Sequence, residues 1–349
     1  MISKTEAEEA AVMNAVRTGD ASAFAALAER YRRQLHVHCY RMLGSVDDAD
    51  DLVQETFLRA WRGREGFEGR SLFRTWLYSI ATNACLNALE RAPRRVMPQD
   101  VAPPVTVHTD ASEARAEPPW APEIPWLQPY PDDLLELTAP SETEPDALVV
   151  SRETIQLAFL LALQHLPPRQ RAILILREVL GWSAKETAAL LETSVQSVNG
   201  ALQRARATMR TRLPAGQDVQ APAAALAATE RVLLRRFMDA WEQKDAQALT
   251  ALLRDDARWA MPPAPLWFDG RAAIVRLFEL FPLERLGDVQ MVIAAANRQP
   301  AVAGYVRREG ESVFRLTGLM VLRMDGDQIA EVTSFSPPLI SAFRLPPTL

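Results

Sequence analysis

The sequence predicts a multidomain chain, two all-α modules followed by an α+β domain. Three observations carry this: helical periodicity dominates the first 213 residues, strand-like runs begin near residue 289, and a proline-rich acidic segment separates two helical blocks. The resulting division is 1–95 and 151–214 for the helical modules, 96–150 for the linker, 215–228 for a spacer and 229–349 for the α+β domain.

Residues 1–18 read as a short helix with no evident chemistry. Asp20 caps the next one, ASAFAALAERYRRQLHVHCYRML, in which Phe24, Leu27, Tyr31 and Leu35 recur at three and four. His36, His38 and Cys39 are close in sequence, but residues one and two apart on a helix point in different directions, so packing is preferred to metal binding. Ser45 opens a second helix, with Asp48 completing a capping box, and this runs to about Arg62. Leu52, Val53, Phe57 and Trp61 form its apolar side; Asp48, Asp51 and Glu55 lie along the opposite stripe, with Asp47 beside them. Acids in a first turn offset the helix dipole, yet Glu55 sits too far along for that.

A third helix starts at Ser71 as N-cap and reaches about Arg91. Phe73, Trp76, Leu77, Ile80 and Ala84 make one side apolar, while Thr75, Ser79, Asn83, Asn87 and Arg91 form a polar stripe at i, i+4 spacing. Amides and guanidinium are the groups that read base edges and hold phosphates. The intervening REGFEGR is Gly-rich and basic, a loop able to receive an unpaired base. From Arg59 to Arg95 eight basic residues stand against three acids, so an acidic face is followed by a basic one, which points to two macromolecular partners.

The second module is helical from about Arg152 to Leu213. Pro167 and Pro168 punctuate it, Gly181 and Trp182 turn the chain, Ser183 with Glu186 forms a capping box, and Thr193 or Ser194 starts the last helix. Short helix, turn and longer helix make a helix-turn-helix. Val195, Val198, Leu202, Ala205 and Met209 face inward by periodicity; Gln196, Asn199, Gln203, Arg206 and Arg210 then face outward, beside Ser197, Gly200 and Arg204. Thr193–Leu213 holds four arginines and no acid.

DDADDLVQETFLRAW followed by FRTWLYSIATNACLNALER resembles region 2 of bacterial sigma-70 factors, in the compact extracytoplasmic-function (ECF) group. LPPRQRAILILREVLGWSAKETAALLETSVQSVNGALQRARATMR resembles region 4 of the same family. The resemblance implies that Asp47, Asp48, Asp51 and Glu55 face the clamp helices of the largest catalytic subunit of RNA polymerase core. It implies that Arg74, Trp76, Asn83, Asn87 and Arg91 face the minus-ten element of promoter DNA, Trp76 being equally a core residue. It implies that Gln196, Ser197, Asn199, Gln203, Arg204, Arg206 and Arg210 face the minus-35 element. Asn199 and Ala201 depart from the Lys or Arg and the Arg of many relatives, which bears on base preference and not on fold.

Between Val96 and Val150 stand eleven prolines and a single basic residue, Arg115, so the segment reads as an extended linker. PPWAPEIPWLQPYPDDLLE is the exception: Trp120, Trp126, Leu127, Tyr130, Leu134 and Leu135 are too apolar to stay in water, so the run packs on a flanking domain or fills a partner's groove. By position, the family places this linker in the polymerase channel.

In the last domain Val232, Leu233, Phe237 and Trp241 line a helix, ALTALL makes another, and VQMVIAAAN, AVAGYVRR, SVFRLTGLMVLRMD and QIAEVTSFS read as strands. RWAMPPAPLWFDGRAAI resembles SnoaL-like domains of the nuclear transport factor 2 superfamily, which implies a curved, cone-shaped sheet around helices with a cavity at its mouth. Trp259, Trp267, Phe268 and Tyr305 are its candidates for a cavity wall, a docking surface or simply core, and a small ligand is the expected guest. Asp255, Asp256, Asp269 and Tyr305 would have to supply any acid-base chemistry, and each is better explained as a turn residue or cavity wall. A regulatory role, without catalysis or cofactor, is therefore expected.

The net charge of −5 over 349 residues does not argue against DNA binding, because charge is segregated along the chain. Cys39 and Cys85 are too few for a disulfide framework, which fits a reducing cytoplasm. No apolar run reaches the length of a membrane span, so no membrane partner is expected. A polymerase-independent helix-turn-helix repressor, or a small-molecule enzyme fused to DNA-binding parts, is the alternative; the acidic stripe and minus-ten helix distinguish the first reading from the repressor, which needs neither.

Overall fold

The computed structural model describes residues 16, 18–67, 72–106, 124–136, 155–213 and 228–349. The helix expected over the first residues, the Ser71 cap, Trp120, Arg152 and the spacer lie outside them. Contacts divide the chain into two compact units, Met1–Arg94 with Asp133–Gln220, and Arg95–Asp132 with Ala221–Leu349.

In the first unit α1 (Ala21–Leu43), α2 (Val46–Gly63) and α3 (Phe73–Leu89) pack pairwise. The Asp20 carboxylate accepts from the Ser22 and Ala23 amides at 2.9 and 3.0 Å, fixing the start of α1. Gly44, at φ 71°, ends it in the left-handed conformation that a Cβ disfavours. The Ser45 hydroxyl then accepts from the Asp48 amide at 3.2 Å, so one helix stops and the next starts within two residues. Leu27, Leu35, Phe73 and Leu77 form the core between them. His36 and His38 do diverge: His36 Nε2 lies 3.3 Å from Asp50, whereas His38 is fully buried, 2.9 Å from Thr82 Oγ1 and edge-on to Tyr78.

The same unit contains α4 (Leu157–Gln164), α5 (Pro168–Leu174), a single π turn over Ile175–Val179, α6 (Ala184–Leu190) and α7 (Val195–Arg212). Ser183 and Glu186 exchange bonds at 2.7 and 3.1 Å, the capping box that sets the turn into α6. Val198, Ala201, Leu202, Ala205 and Met209 are buried on α7. Val195 is 43% exposed, contrary to the periodicity, because it is the first helical residue and the inward stripe begins a turn later. Arg171 fastens this module to the first. Its buried guanidinium donates to the Met42 carbonyl at the end of α1, to Gln164 Oε1 at 2.7 Å and to the Gln164 and Leu166 carbonyls at 3.0 and 3.3 Å. Burial lowers its pKa to about 10, so it stays charged at neutral pH. Tyr78 of α3 and Trp182 meet edge to face at 6.0 Å across the same boundary.

The second unit is a six-stranded sheet ordered β2-β1-β6-β5-β4-β3. Its strands are β1 (Leu253–Ala260), β2 (Trp267–Asp269), β3 (Asp288–Ala296), β4 (Gln299–Arg307), β5 (Arg315–Asp325) and β6 (Gln328–Phe335), all antiparallel neighbours except the β1–β6 pair. Helices α8 (Ala228–Glu242), α9 (Ala246–Ala251) and α10 (Arg271–Leu280) cover it. Val232, placed on the inward line of α8 by the sequence, is 59% exposed; Leu233, Leu234 and Phe237 are the buried face. β1 and β2 were not expected, because the acids of DDARWA and the prolines after it mask a strand that buries Leu253, Ala257 and Trp259.

The linker reading needs revision on the described residues. Val105 sits in the core of this unit, its amide donating to the Trp267 carbonyl at 2.8 Å, and Trp267 Nε1 donates to the Ala102 carbonyl at 2.8 Å. Trp126, Leu127 and Tyr130 are buried, with Val96 bridging Trp126 in parallel and Pro131 bridging Ala296 of β3. The apolar run is thus built into the C-terminal unit, because those side chains have nowhere else to leave water.

Burial, with help from the Arg41 charge, drives the His38 pKa down to about 3 from an ordinary value near 6.5. The unfolded chain therefore binds one more proton than the folded one between those values, and stability present above pH 6.5 is lost as pH falls. Unfolding titrations should show about 1.4 kcal/mol lost per pH unit below pH 6 through this group, and a His38→Gln variant should show a shallower slope.

Candidate functional site

Asp47 and Asp51 stand exposed on α2, Asp48 is half-buried, and Glu55 pairs with Arg59 one turn on at 2.7 Å. The acidic face runs directly into an apolar groove of about 360 Å³, lined by Phe24, Phe57, Leu58 and Trp61 with Arg32 and Gln54. Leu58 is 50% exposed. The sequence reading missed this groove; the available signal was a leucine lying off the inward stripe of an otherwise regular amphipathic helix.

On α3 the structure exposes Asn83 and Asn87, and Arg91 follows in the turn after the helix. The other proposed members are engaged locally. Trp76 is half-buried against Phe67 and Phe73, with ring centroids 4.9 and 5.8 Å away, and Arg74 lies over the Tyr78 ring at 5.5 Å. Ser79 turns its hydroxyl back to the Trp76 carbonyl at 2.7 Å.

The outer face of α7 presents Gln196, Ser197, Asn199, Gln203, Arg204, Arg206 and Arg210, all exposed. Ser194 caps the helix by accepting from the Ser197 amide at 3.1 Å, and the two hydroxyls lie 3.0 Å apart. Arg206 pairs with Glu178. Arg206 and Arg210, one turn apart, share a stripe with Gln196, Asn199 and Gln203, which suits an anionic ligand.

In the C-terminal unit a cavity of about 290 Å³ opens between the sheet and the helices. Trp241, Met261, Leu286, Met291, Met320 and Phe335 supply most of its wall, with hydroxyls from Thr317, Ser334 and Ser336 and the facing glycines Gly304 and Gly318 of β4 and β5. None of the four aromatic candidates lines it. Trp259 is buried with Nε1 on Ser334 Oγ at 3.0 Å, Phe268 is core, Tyr305 is buried with its hydroxyl on the Pro346 carbonyl at 2.9 Å, and Trp267 holds Ala102. Burial of the first three also removes them from any docking surface. Asp255, Asp256 and Asp269 are strand residues rather than turn residues, bonded to Arg271, Arg254 and Arg258. The bond from Arg254 holds Asp256 below the usual carboxylate range.

Family models match in three places: "Sigma-70 region 2" over residues 27–95, "Sigma-70, region 4" over 156–209 and "SnoaL-like domain" over 234–332. ECF RNA polymerase sigma factor SigG of Mycobacterium tuberculosis is 43% identical over 336 residues, covering 95% of this chain and 86% of the relative. The chain belongs to the ECF RNA polymerase sigma factors. As such it binds RNA polymerase core and directs promoter-specific initiation. SigW of Bacillus subtilis, another ECF RNA polymerase sigma factor, is 30% identical over 201 residues, 57% of this chain and 92% of the relative. The crystal structure of the Mycobacterium tuberculosis ECF sigma factor SigJ shares the fold, with a TM-score of 0.57 at 19% identity, covering 92% of this chain and 99% of that one. Among the described residues no helix of this sigma factor is long and apolar enough to cross a membrane.

Both facing glycines border the cavity. They are not equivalent. A Cβ on Gly318 would lie 2.5 Å from the Phe335 carbonyl oxygen, a backbone atom, whereas one on Gly304 would meet only Thr317 Oγ1 at 3.3 Å and Met291 Sδ at 3.8 Å. Thermal unfolding should show Gly318→Ala costing about 1 to 3 kcal/mol as an overpacking change, and Gly304→Ala clearly less.

Proposed function

We propose that this sigma factor docks on the clamp helices of the polymerase through the acidic face of α2, with Asp47 and Asp51 as its exposed charges and Asp48 and Glu55 at its edge. Asn83, Asn87 and Arg91 meet the minus-ten element, with Arg74 and Trp76 shaping the surface from behind. The outer face of α7 meets the minus-35 element: Arg204, Arg206 and Arg210 hold phosphates, while Gln196, Ser197, Asn199 and Gln203 reach base edges. The observation that carries this reading is the separation of the two fields. Exposed acids sit on α2 and exposed arginines and amides on α7, in one unit whose net charge conceals both.

The C-terminal unit restrains or supports this activity and does no covalent chemistry. In support, the cavity wall is apolar with hydroxyls and carries no titratable side chain among the described residues. A small neutral, largely apolar molecule fits such a wall. The site of action is the cytoplasm, where the polymerase works.

In a core-binding titration, Asp51→Arg should weaken affinity at least several-fold with unchanged unfolding, since exposed carboxylates contribute little to stability. On promoter DNA, Arg210→Ala should weaken binding across sequences and flatten its salt dependence. Gln203→Ala should instead shift base preference, by about 1 to 3 kcal/mol for a lost bidentate contact. Unchanged core affinity removes the α2 assignment, and uniform losses on every promoter variant remove the α7 orientation.

A further inference from the structure

The cavity of the C-terminal unit encloses about 290 Å³. At roughly 30 Å³ for each water in the liquid, that is room for a guest of about ten non-hydrogen atoms. No charged side chain lines it among the described residues. Glu242, next in sequence to the lining residue Trp241, is already engaged, its carboxylate accepting from the Met291 amide at 2.9 Å. An ion entering such a wall would give up its water without meeting a counter-charge, so the guest is neutral.

The polar groups of the wall narrow the choice through the hydrogen bonds they have already made. β4 and β5 shift register there: Gly304 faces Gly318 but Tyr305 faces Leu316, which leaves Thr317 as the extra residue of a bulge. The Thr317 hydroxyl gives its one proton to the Gly304 carbonyl at 2.9 Å, so this donor is used. Ser334 is in the opposite condition. Its oxygen accepts from Trp259 Nε1 at 3.0 Å, and its own proton remains to be given. Ser336 stands two residues on, at the end of β6, and borders the same cavity. Its amide donates to the Pro262 carbonyl at 3.2 Å, while its hydroxyl has no partner among the described residues. Trp241 adds an enclosed Nε1–H with no acceptor among them. The wall is left with protons to give.

We propose that this cavity takes a neutral carbonyl compound, a ketone, ester or lactone, whose oxygen accepts from the Ser334 and Ser336 hydroxyls. A carbonyl oxygen has two lone pairs, one for each serine. The thioethers of Met261, Met291 and Met320 take the hydrocarbon part, since unbranched methionine adapts to guests of differing shape. This rests on the reading of the cavity as a small-molecule site and names the group that its guest carries.

The test follows methionine methyl resonances by NMR in the full chain during titration with methyl heptyl ketone, with the alkene in which a methylene replaces its oxygen, with nonanoate and with nonylammonium. The resonances of Met261, Met291 and Met320 should move with the ketone and the alkene and stay in place with the two ions. Two variants then remove the donors: Ser336→Ala, and Ser334→Ala combined with Trp259→Phe, which takes away the serine together with the indole N–H that it serves. Each should weaken the ketone about tenfold, the worth of one hydrogen bond, and leave the alkene as it was. Alkene binding also shows that the cavity is intact in each variant, which separates a lost donor from a lost fold. Ketone affinity left unchanged by either variant, or nonanoate bound as tightly as the ketone, overturns the carbonyl assignment while the cavity stays a small-molecule site. If neither ketone nor alkene moves the three resonances, the small-molecule reading itself fails.

Discussion

The peptide that joins the two helical modules is folded into the unit encoded after both of them, and the rest of the structure follows from that constraint. Val96, Val105, Trp126, Leu127 and Tyr130 lose contact with water there and nowhere else among the described residues. The C-terminal unit is thus not an appendage on a flexible spacer. It closes its own core with residues that precede region 4, as Val105 beside Phe268 and Trp267 beside Ala102 show. The chain passes between this unit and the first three times, after Arg94, after Asp132 and after Gln220.

Within the first unit, region 2 and region 4 are joined through a cation. Arg171 sits buried with carbonyl and amide oxygens as acceptors for its two terminal nitrogens, a set that leaves its charge uncancelled. Buried charges of this kind specify an arrangement more than they stabilise it, since the desolvation cost absorbs most of the gain. Arg94 Nη1, 2.6 Å from His165 Nδ1, and the Tyr78–Trp182 contact join the same two modules. The outward faces stay open meanwhile, acids on α2 and arginines on α7.

Much of this was legible in the sequence. The caps at Asp20, Ser45 and Ser183, the helix-turn-helix and the last four strands all follow local rules, and the structure has them within a few residues. What failed depended on partners distant in the chain. β1 was hidden because Asp255, Asp256 and Arg258 look like a turn until the arginines and carboxylates beside them are known. Trp259 and Tyr305 were open between cavity wall, docking surface and core, and they are core, whereas the cavity is lined largely by methionines and by two glycines facing each other across β4 and β5. The apolar run in the linker was recognised as needing a partner, yet no periodicity could reveal that the partner is a hairpin turn some 165 residues downstream, where Asn297 meets Tyr130. The polymerase-facing and DNA-facing residues were chosen by pattern and resemblance, and the structure adds their exposure and local bonding, including the Glu55–Arg59 and Glu178–Arg206 pairs.

The central claim is that a sigma factor whose DNA-reading modules are packed together opens when it takes up its partners. The most direct measurement is energy transfer between dyes on exposed positions of α2 and α7, such as Arg62 and Thr211, in the full chain. Strong transfer in the free protein should collapse on adding core polymerase and promoter DNA, because elements 25 base pairs apart lie roughly 85 Å from each other on the duplex. Transfer that remains strong in a complex competent for initiation would contradict the account.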